Sequence, residues 1–186
     1  MTETETAVET GDAELIRRSL ERPEVFAALF DRYAAQLHRY VVRRLGPDQA
    51  EDVVSETFLA AFQHRRRYDL RHSQARPWLY GIASNVIGKR RRAELARLRA
   101  HARSGAYPAD EGLVEENVAT LAVNRPLVAA LAGLRGGDRD VLLLVAWAEL
   151  TYEEVALALG IPVGTVRSRL NRARSKVRTK LEETGG

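Results

Sequence analysis

TYEEVALALGIPVGTVRSRLNRARSKVRTK, residues 151–180, is the stretch that decides the reading of this chain. It fits two helices with a tight turn between them. Thr151 is a good N-cap, and Glu154, three residues on, can complete a capping box. Val155, Leu157 and Leu159 give the first helix an apolar side, while Ala156 and Ala158 permit close approach. Gly160 ends it, because glycine tolerates the left-handed conformation at a helix C-terminus. Pro162 stands where the next helix starts and needs no amide partner there. Beyond it, Val166, Leu170, Ala173 and Val177 recur at spacings of four, three and four, which makes one face apolar.

The remaining faces of that second helix are basic, from Arg167 to Lys180 without an intervening acid. A partly acidic support helix, a glycine turn and a basic second helix describe a helix-turn-helix. The N-terminal half of its second helix would enter the major groove, with later cations on phosphates. Val163, Gly164, Arg167, Ser168 and Asn171 lie in that half and off the apolar face, so they are best placed for base edges. Arg172 sits at the border, and Lys176 lies far enough along to touch phosphate. A solvated basic helix would show the same charge, but it would not need the turn chemistry or the apolar register.

At 186 residues, the chain allows one domain or two small ones. The formal charge is only +4, so distribution matters more than total. Arg outnumbers Lys by 26 to 3, which suits bidentate phosphate and guanine contacts and equally a GC-rich genome. Cysteine is absent and the four histidines lack ligand-like spacing, so no disulfide, metal or cofactor is expected. The acidic start has no apolar core of a signal peptide, and the longest apolar run, residues 141–148, is too short to span a bilayer. A soluble, cytoplasmic protein is expected.

Residues 1–12 read as a disordered Thr- and Glu-rich tail, with residues up to 22 as lead-in. Residues 23–45 predict a helix, with apolar positions at three- and four-residue steps. Gly46-Pro47 stops it and Asp48 can cap the next, which runs to about residue 65. Its apolar side is Val53, Val54, Phe58, Leu59 and Phe62; its charge is acidic, with no basic residue between Gly46 and Phe62. The run HRRRYDLRH then reverses the sign. Residues 68–76 read as a polar loop, and Pro77 opens a further helix. Tyr68, Trp78 and Tyr80 interleave with Arg71, Arg76 and Lys89, as stacking and phosphate neutralisation on single-stranded nucleic acid require. Trp78 itself, in four-residue register with Ile82 and Val86, reads as core. Residues 104–122 read as a flexible acidic linker. Residues 125–134 predict a short helix, a turn follows at Arg135-Gly136-Gly137, and Asp138 can cap the helix after it.

These segments carry a resemblance. DRDVLLLVAWAELTYEEVALALGIPVGTVRSRLNRAR looks like conserved region 4 of the extracytoplasmic-function sigma factors, and residues 26–103 resemble region 2 of the same family. AEDVVSETFLAAFQ is similar to the segment that docks on polymerase, which implies contacts from Asp52, Glu56 and Gln63. RPWLYGIASNVIGKRRR is similar to the segment that opens and reads the −10 element. The resemblance implies that loop 68–76 pockets a flipped base, in location and not in its individual contacts. By their own polar, aromatic and basic character, Arg71, Arg76, Tyr80, Asn85, Lys89 and Arg90 are the candidate −10 DNA contacts. Gly81 departs from the family, where many members have Arg. The implied partners are core RNA polymerase, through its β′ coiled coil and β flap, promoter DNA, and an anti-sigma factor.

The expected architecture is all-α: region 2 over residues 23–103, the linker, and region 4 over residues 123–182. The expected function is promoter-specific transcription initiation without catalysis. The alternative is a dimeric helix-turn-helix regulator that binds DNA without polymerase. That model leaves the acidic helix beside the aromatic-basic segment without a purpose.

Overall fold

The computed structural model describes residues 10–103 and 125–185, and within them the backbone is helical with no strand. Residues 1–9 of the expected tail and the linker over residues 104–122 lie outside the described residues. The N-terminal half consists of α1 (Asp12–Ser19), a 3-10 turn (Pro23–Phe26), α2 (Ala27–Leu45), α3 (Ala50–His64), a second 3-10 turn (Arg65–Arg67) and α4 (Arg76–Arg103). The C-terminal half consists of α5 (Arg125–Ala132), α6 (Gly136–Ala146), α7 (Tyr152–Leu159) and α8 (Val163–Gly185).

Periodicity explains the N-terminal core. Leu29, Leu37, Tyr40 and Val41 of α2 meet Val53 and Ala61 of α3 and Leu79 and Ile87 of α4, all of them buried. Edge-on aromatic pairs lock the seams, Phe26 on Phe62 at 5.4 Å and Tyr40 on Tyr80 at 5.1 Å between ring centres. Gly46 ends α2 at φ 83°, a conformation that a side chain would strain.

In the C-terminal half, Thr151 and Glu154 form the expected reciprocal cap, with the Thr151 N–H donating to Glu154 at 2.8 Å and the Glu154 N–H to Thr151 Oγ1 at 3.2 Å. A cap of this kind is worth about 1 kcal/mol. Gly160 adopts the left-handed conformation at φ 61° and turns the chain into α8. Val155, Val166, Leu170 and Ala173 then bury against Val141 and Leu144 of α6.

Sequence and structure differ at four local points. The lead-in is a helix, α1, and Asp12, read as the end of a tail, is only 2% exposed. Asp48 does not cap α3: the N-cap is Gln49, because the Ala50 N–H closes a turn onto the Pro47 carbonyl at 3.1 Å and starts the helix later. Asp138 does not cap α6 either. The helix begins at Gly136, absorbing both glycines of the expected turn, and puts Asp138 in its first turn, paired with Arg172 at 3.1 Å. Leu59 was expected on the apolar side of α3 but is 57% exposed.

The two halves pack against each other, chiefly α4 on α7. A Cβ on Gly81 would lie 2.1 Å from the Ala158 carbonyl oxygen, so only glycine permits this approach. Arg76 donates to the Ala148 carbonyl, and Arg44 pairs with Asp140 at 2.7 Å across the same seam.

Candidate nucleic-acid and polymerase interface

Helix α8 presents a clean polar stripe. With Val166, Leu170 and Ala173 facing inward, the 3.6-residue repeat turns Gly164, Arg167, Ser168, Asn171 and Arg172 outward; all are exposed, and Val163 is half-buried at the helix start. Ser168 Oγ donates to the Thr165 carbonyl at 3.0 Å, leaving its lone pairs available. Arg172 is held toward α6 by Asp138. Lys176 donates to the Gly133 carbonyl at 2.7 Å, so it ties α8 to the segment after α5 as well as presenting a cation.

This division makes a prediction. Arg167→Ala is expected to relax preference at one or two base pairs of a bound site, losing about 1–3 kcal/mol at the matching base. Lys176→Ala is expected to weaken all sequences alike and to shallow the salt dependence by about one charge. Binding of the polymerase complex to a library randomised at −35, at several salt concentrations, separates the two. Equal, sequence-independent losses would make Arg167 another phosphate clamp.

On α3, Asp52, Glu56 and Gln63 stand at spacings of four and seven and therefore share one face. Asp52 and Gln63 are exposed, and the exposed Leu59 lies between Glu56 and Gln63 on that face. Sequence reading missed Leu59 as a surface residue because its neighbour Phe58 is core, and adjacent apolar residues straddling a helix edge look alike. Glu56 is bonded by Arg90 of α4 at 3.0 Å, which joins two residues that the sequence had assigned to different partners.

The expected −10 residues divide into two groups. Asn85, Lys89 and Arg71 are exposed, and Asn85 and Lys89 stack one turn apart on α4. Arg76 instead faces the C-terminal half, and Tyr80 is buried against Tyr40 of α2. Tyr80 is 3% exposed, its ring lies 5.6 Å from the Arg76 guanidinium, and burial raises its phenol pKa. Arg76 reaches the carbonyl of Ala148, just before α7, and its Nε is buried without a partner. Trp78 packs edge-on against Tyr68 at 5.0 Å, in keeping with its reading as core.

Beside this covered surface, Asp140 lies among three guanidiniums: it is bonded by Arg44, and its charge also acts on Arg91 and Arg139. Arg44 is buried, bonded to the Tyr40 hydroxyl at 2.9 Å and to Asp140. Burial and the nearby charges of Arg91 and Arg44 lower Arg139 to about 10, still high enough to remain charged at neutral pH. Burial lowers Arg91 as well, and Arg44 adds to the effect. The sequence gives no sign of this cluster, since its members are up to 96 residues apart. Among the described residues, no group of His, Cys, Asp or Glu could hold a metal ion, and no helix is long and apolar enough to cross a membrane.

Known proteins share this arrangement. The Sigma-70 region 2 family model matches residues 29–97, and the Sigma-70, region 4 model matches residues 124–177. The ECF RNA polymerase sigma factor SigL of Mycobacterium tuberculosis is 37% identical over 161 residues, covering 85% of this chain and 89% of that protein. SigW of Bacillus subtilis, also an ECF RNA polymerase sigma factor, is 29% identical over 170 residues, covering 86% and 90%. In three dimensions, CnrH, solved in complex with the cytosolic domain of CnrY, superposes with a TM-score of 0.63 at 24% identity, covering 92% of this chain and 97% of that one. The sigma factor RpoE of Bartonella quintana, solved with the anti-sigma factor NepR, superposes with a TM-score of 0.56 at 22% identity, covering 89% and 97%.

Proposed function

This chain belongs to the sigma-70 family as an extracytoplasmic-function sigma factor, and from that membership we propose how its surfaces divide the work. It binds core RNA polymerase and directs promoter-specific initiation; the dimeric regulator acting without polymerase is set aside. The exposed face of α3, with Asp52, Glu56, Leu59 and Gln63, docks on the β′ coiled coil. The groove formed by Leu142, Val177 and Leu181, flanked by Arg174 and Arg178, takes the β flap. The stripe on α8 reads the −35 element. Loop 68–76 and the face of α4 carrying Asn85 and Lys89 hold the melted −10 strand, where capture of an unstacked base offsets the energy of opening. Binding energy alone drives opening, so the protein supplies no catalytic group. An anti-sigma factor, of the kind found with the structural relative RpoE, is a proposed inhibitor.

One observation carries the docking assignment: an apolar side chain stands solvent-exposed in the middle of the acidic face of a helix. A single exposed leucine is ordinary on a surface, so the support comes from its company. Leu59 shares its face with Asp52, Glu56 and Gln63, an apolar centre inside a polar rim, as an interface patch has. Asp52→Lys with Leu59→Ala is therefore expected to weaken core-polymerase affinity at least tenfold, roughly 1.4 kcal/mol, and to abolish run-off transcription. Thermal stability should stay within about 0.5 kcal/mol, because both positions are exposed. Unchanged affinity in a titration against core polymerase would remove this face from the interface.

A further inference from the structure

We infer that Asp12, at the start of α1, is a positioning residue that fixes the base-reading loop for −10 DNA; this rests on the assignment of residues 68–76 to that role. The carboxylate of Asp12 collects three donors from two distant parts of the chain, α2 and the residue before α4. The Arg32 guanidinium bonds Oδ1, the Tyr33 hydroxyl donates to Oδ2 at 2.5 Å, and the backbone N–H of Ala75 donates to Oδ2 at 2.7 Å. Arg32 also donates to the Thr10 carbonyl at 3.2 Å, which draws the start of α1 onto α2. Ala75 is fully buried and immediately precedes α4.

The other end of the loop is held by Tyr68. Its hydroxyl lies 2.7 Å from the His72 carbonyl and 3.0 Å from that of Gln74, and its ring packs on Trp78. Between the clamps, Leu70, Arg71, Ser73 and Gln74 are exposed. The loop's own ion pair, Asp69 with Arg71 at 2.6 Å, is local and solvent-facing, so it cannot fix the loop relative to the helices. Asp12 and Tyr68 do that. A pocket that captures one unstacked base discriminates only if it is already ordered, because ordering it on binding uses up the difference between bases. The N-terminal helix thereby becomes part of the −10 reader although it sits 63 residues from the amide it holds.

The test uses the full chain assembled with core polymerase, on promoters substituted at each non-template position of the −10 element, with open-complex formation as the readout. Asp12→Ala orphans the buried Ala75 amide and is expected to reduce base discrimination about tenfold at one position. Core affinity and −35 selectivity should remain unchanged. Asp12→Asn keeps an oxygen for Ala75 and should give an intermediate loss. Tyr33→Phe removes a donor on α2 while sparing the bond to Ala75, and discrimination should survive. If Tyr33→Phe matches Asp12→Ala, Asp12 merely anchors α1 and the inference is overturned. If Ser73→Ala or Gln74→Ala shifts selectivity while Asp12→Ala does not, the inference alone fails. If none of these variants shifts selectivity, the assignment of the loop to DNA fails with it. Should Asp12→Ala not fold, the contrast between Asp12→Asn and Tyr33→Phe decides in the same way.

Discussion

Gly81→Ala is expected to separate the two halves of the molecule. The added Cβ would sit 2.1 Å from the Ala158 carbonyl oxygen and 3.0 Å from its carbon, both backbone atoms. No rotamer change relieves a contact with backbone, so α4 and α7 must move apart. Overpacking of this kind costs about 1–3 kcal/mol. Applied to an equilibrium between packed and separated halves, that is a shift of roughly 5- to 150-fold. The local effect of the substitution runs the other way, because alanine is the better helix former by up to about 1 kcal/mol. Loosening would therefore report the clash and not a weakened α4. The distance between fluorophores on α3 and α8, measured in the free protein, checks this. An unchanged distance would mean that α7 yields without releasing α4. Separation would also release Arg76 from the Ala148 carbonyl, so the free variant is expected to bind a single-stranded −10 oligonucleotide more tightly than the parent.

Asp140→Asn attacks the same seam through charge. The substitution keeps the shape of the side chain and one acceptor for Arg44, but it removes the negative charge beside Arg44, Arg91 and Arg139. The Arg44 side chain is only 4% exposed, and leaving a buried cation without its counter-ion costs about 3–5 kcal/mol. The Asp140 side chain keeps 26% exposure, so the lower end of that range applies. Separating the halves returns the guanidiniums to water, which is the cheapest relief available. Arg139→Met should act oppositely: it removes one of three crowded charges together with a buried Nε that has no partner. The interdomain distance should increase for the first variant and hold or tighten for the second. Equal distances in both would show that the cluster is electrostatically indifferent to docking.

The helix-turn-helix was legible because its determinants are local. The Thr151 and Glu154 cap, the left-handed Gly160 and the register Val166, Leu170, Ala173 each depend on residues within a turn or two. The same locality made the helical order and the outward stripe of α8 readable. It failed at helix starts, where Asp48 and Asp138 have capping chemistry but a neighbouring turn or a distant arginine decides the boundary. It failed at Leu59, since an apolar residue next to core carries no mark of which side of the helix edge it occupies.

What the sequence determined by itself is the all-helical architecture, the region 2 and region 4 order, and which exposed polar stripes are proposed to meet polymerase and DNA. Helical period, caps and charge sign are encoded over a few residues, and those suffice. What only tertiary structure decided is which of those side chains are accessible together. Tyr80 is buried against Tyr40 of α2 and Arg76 is drawn onto the Ala148 carbonyl, while Asn85 and Lys89 stay open, because α2, α3 and α7 cover the other sides of α4. Asp12 holds Ala75, and Arg44 meets Asp140, across 63 and 96 residues. A carboxylate's partner at that separation is set by how helices pack, and packing is a property of the whole core, not of any window along the chain.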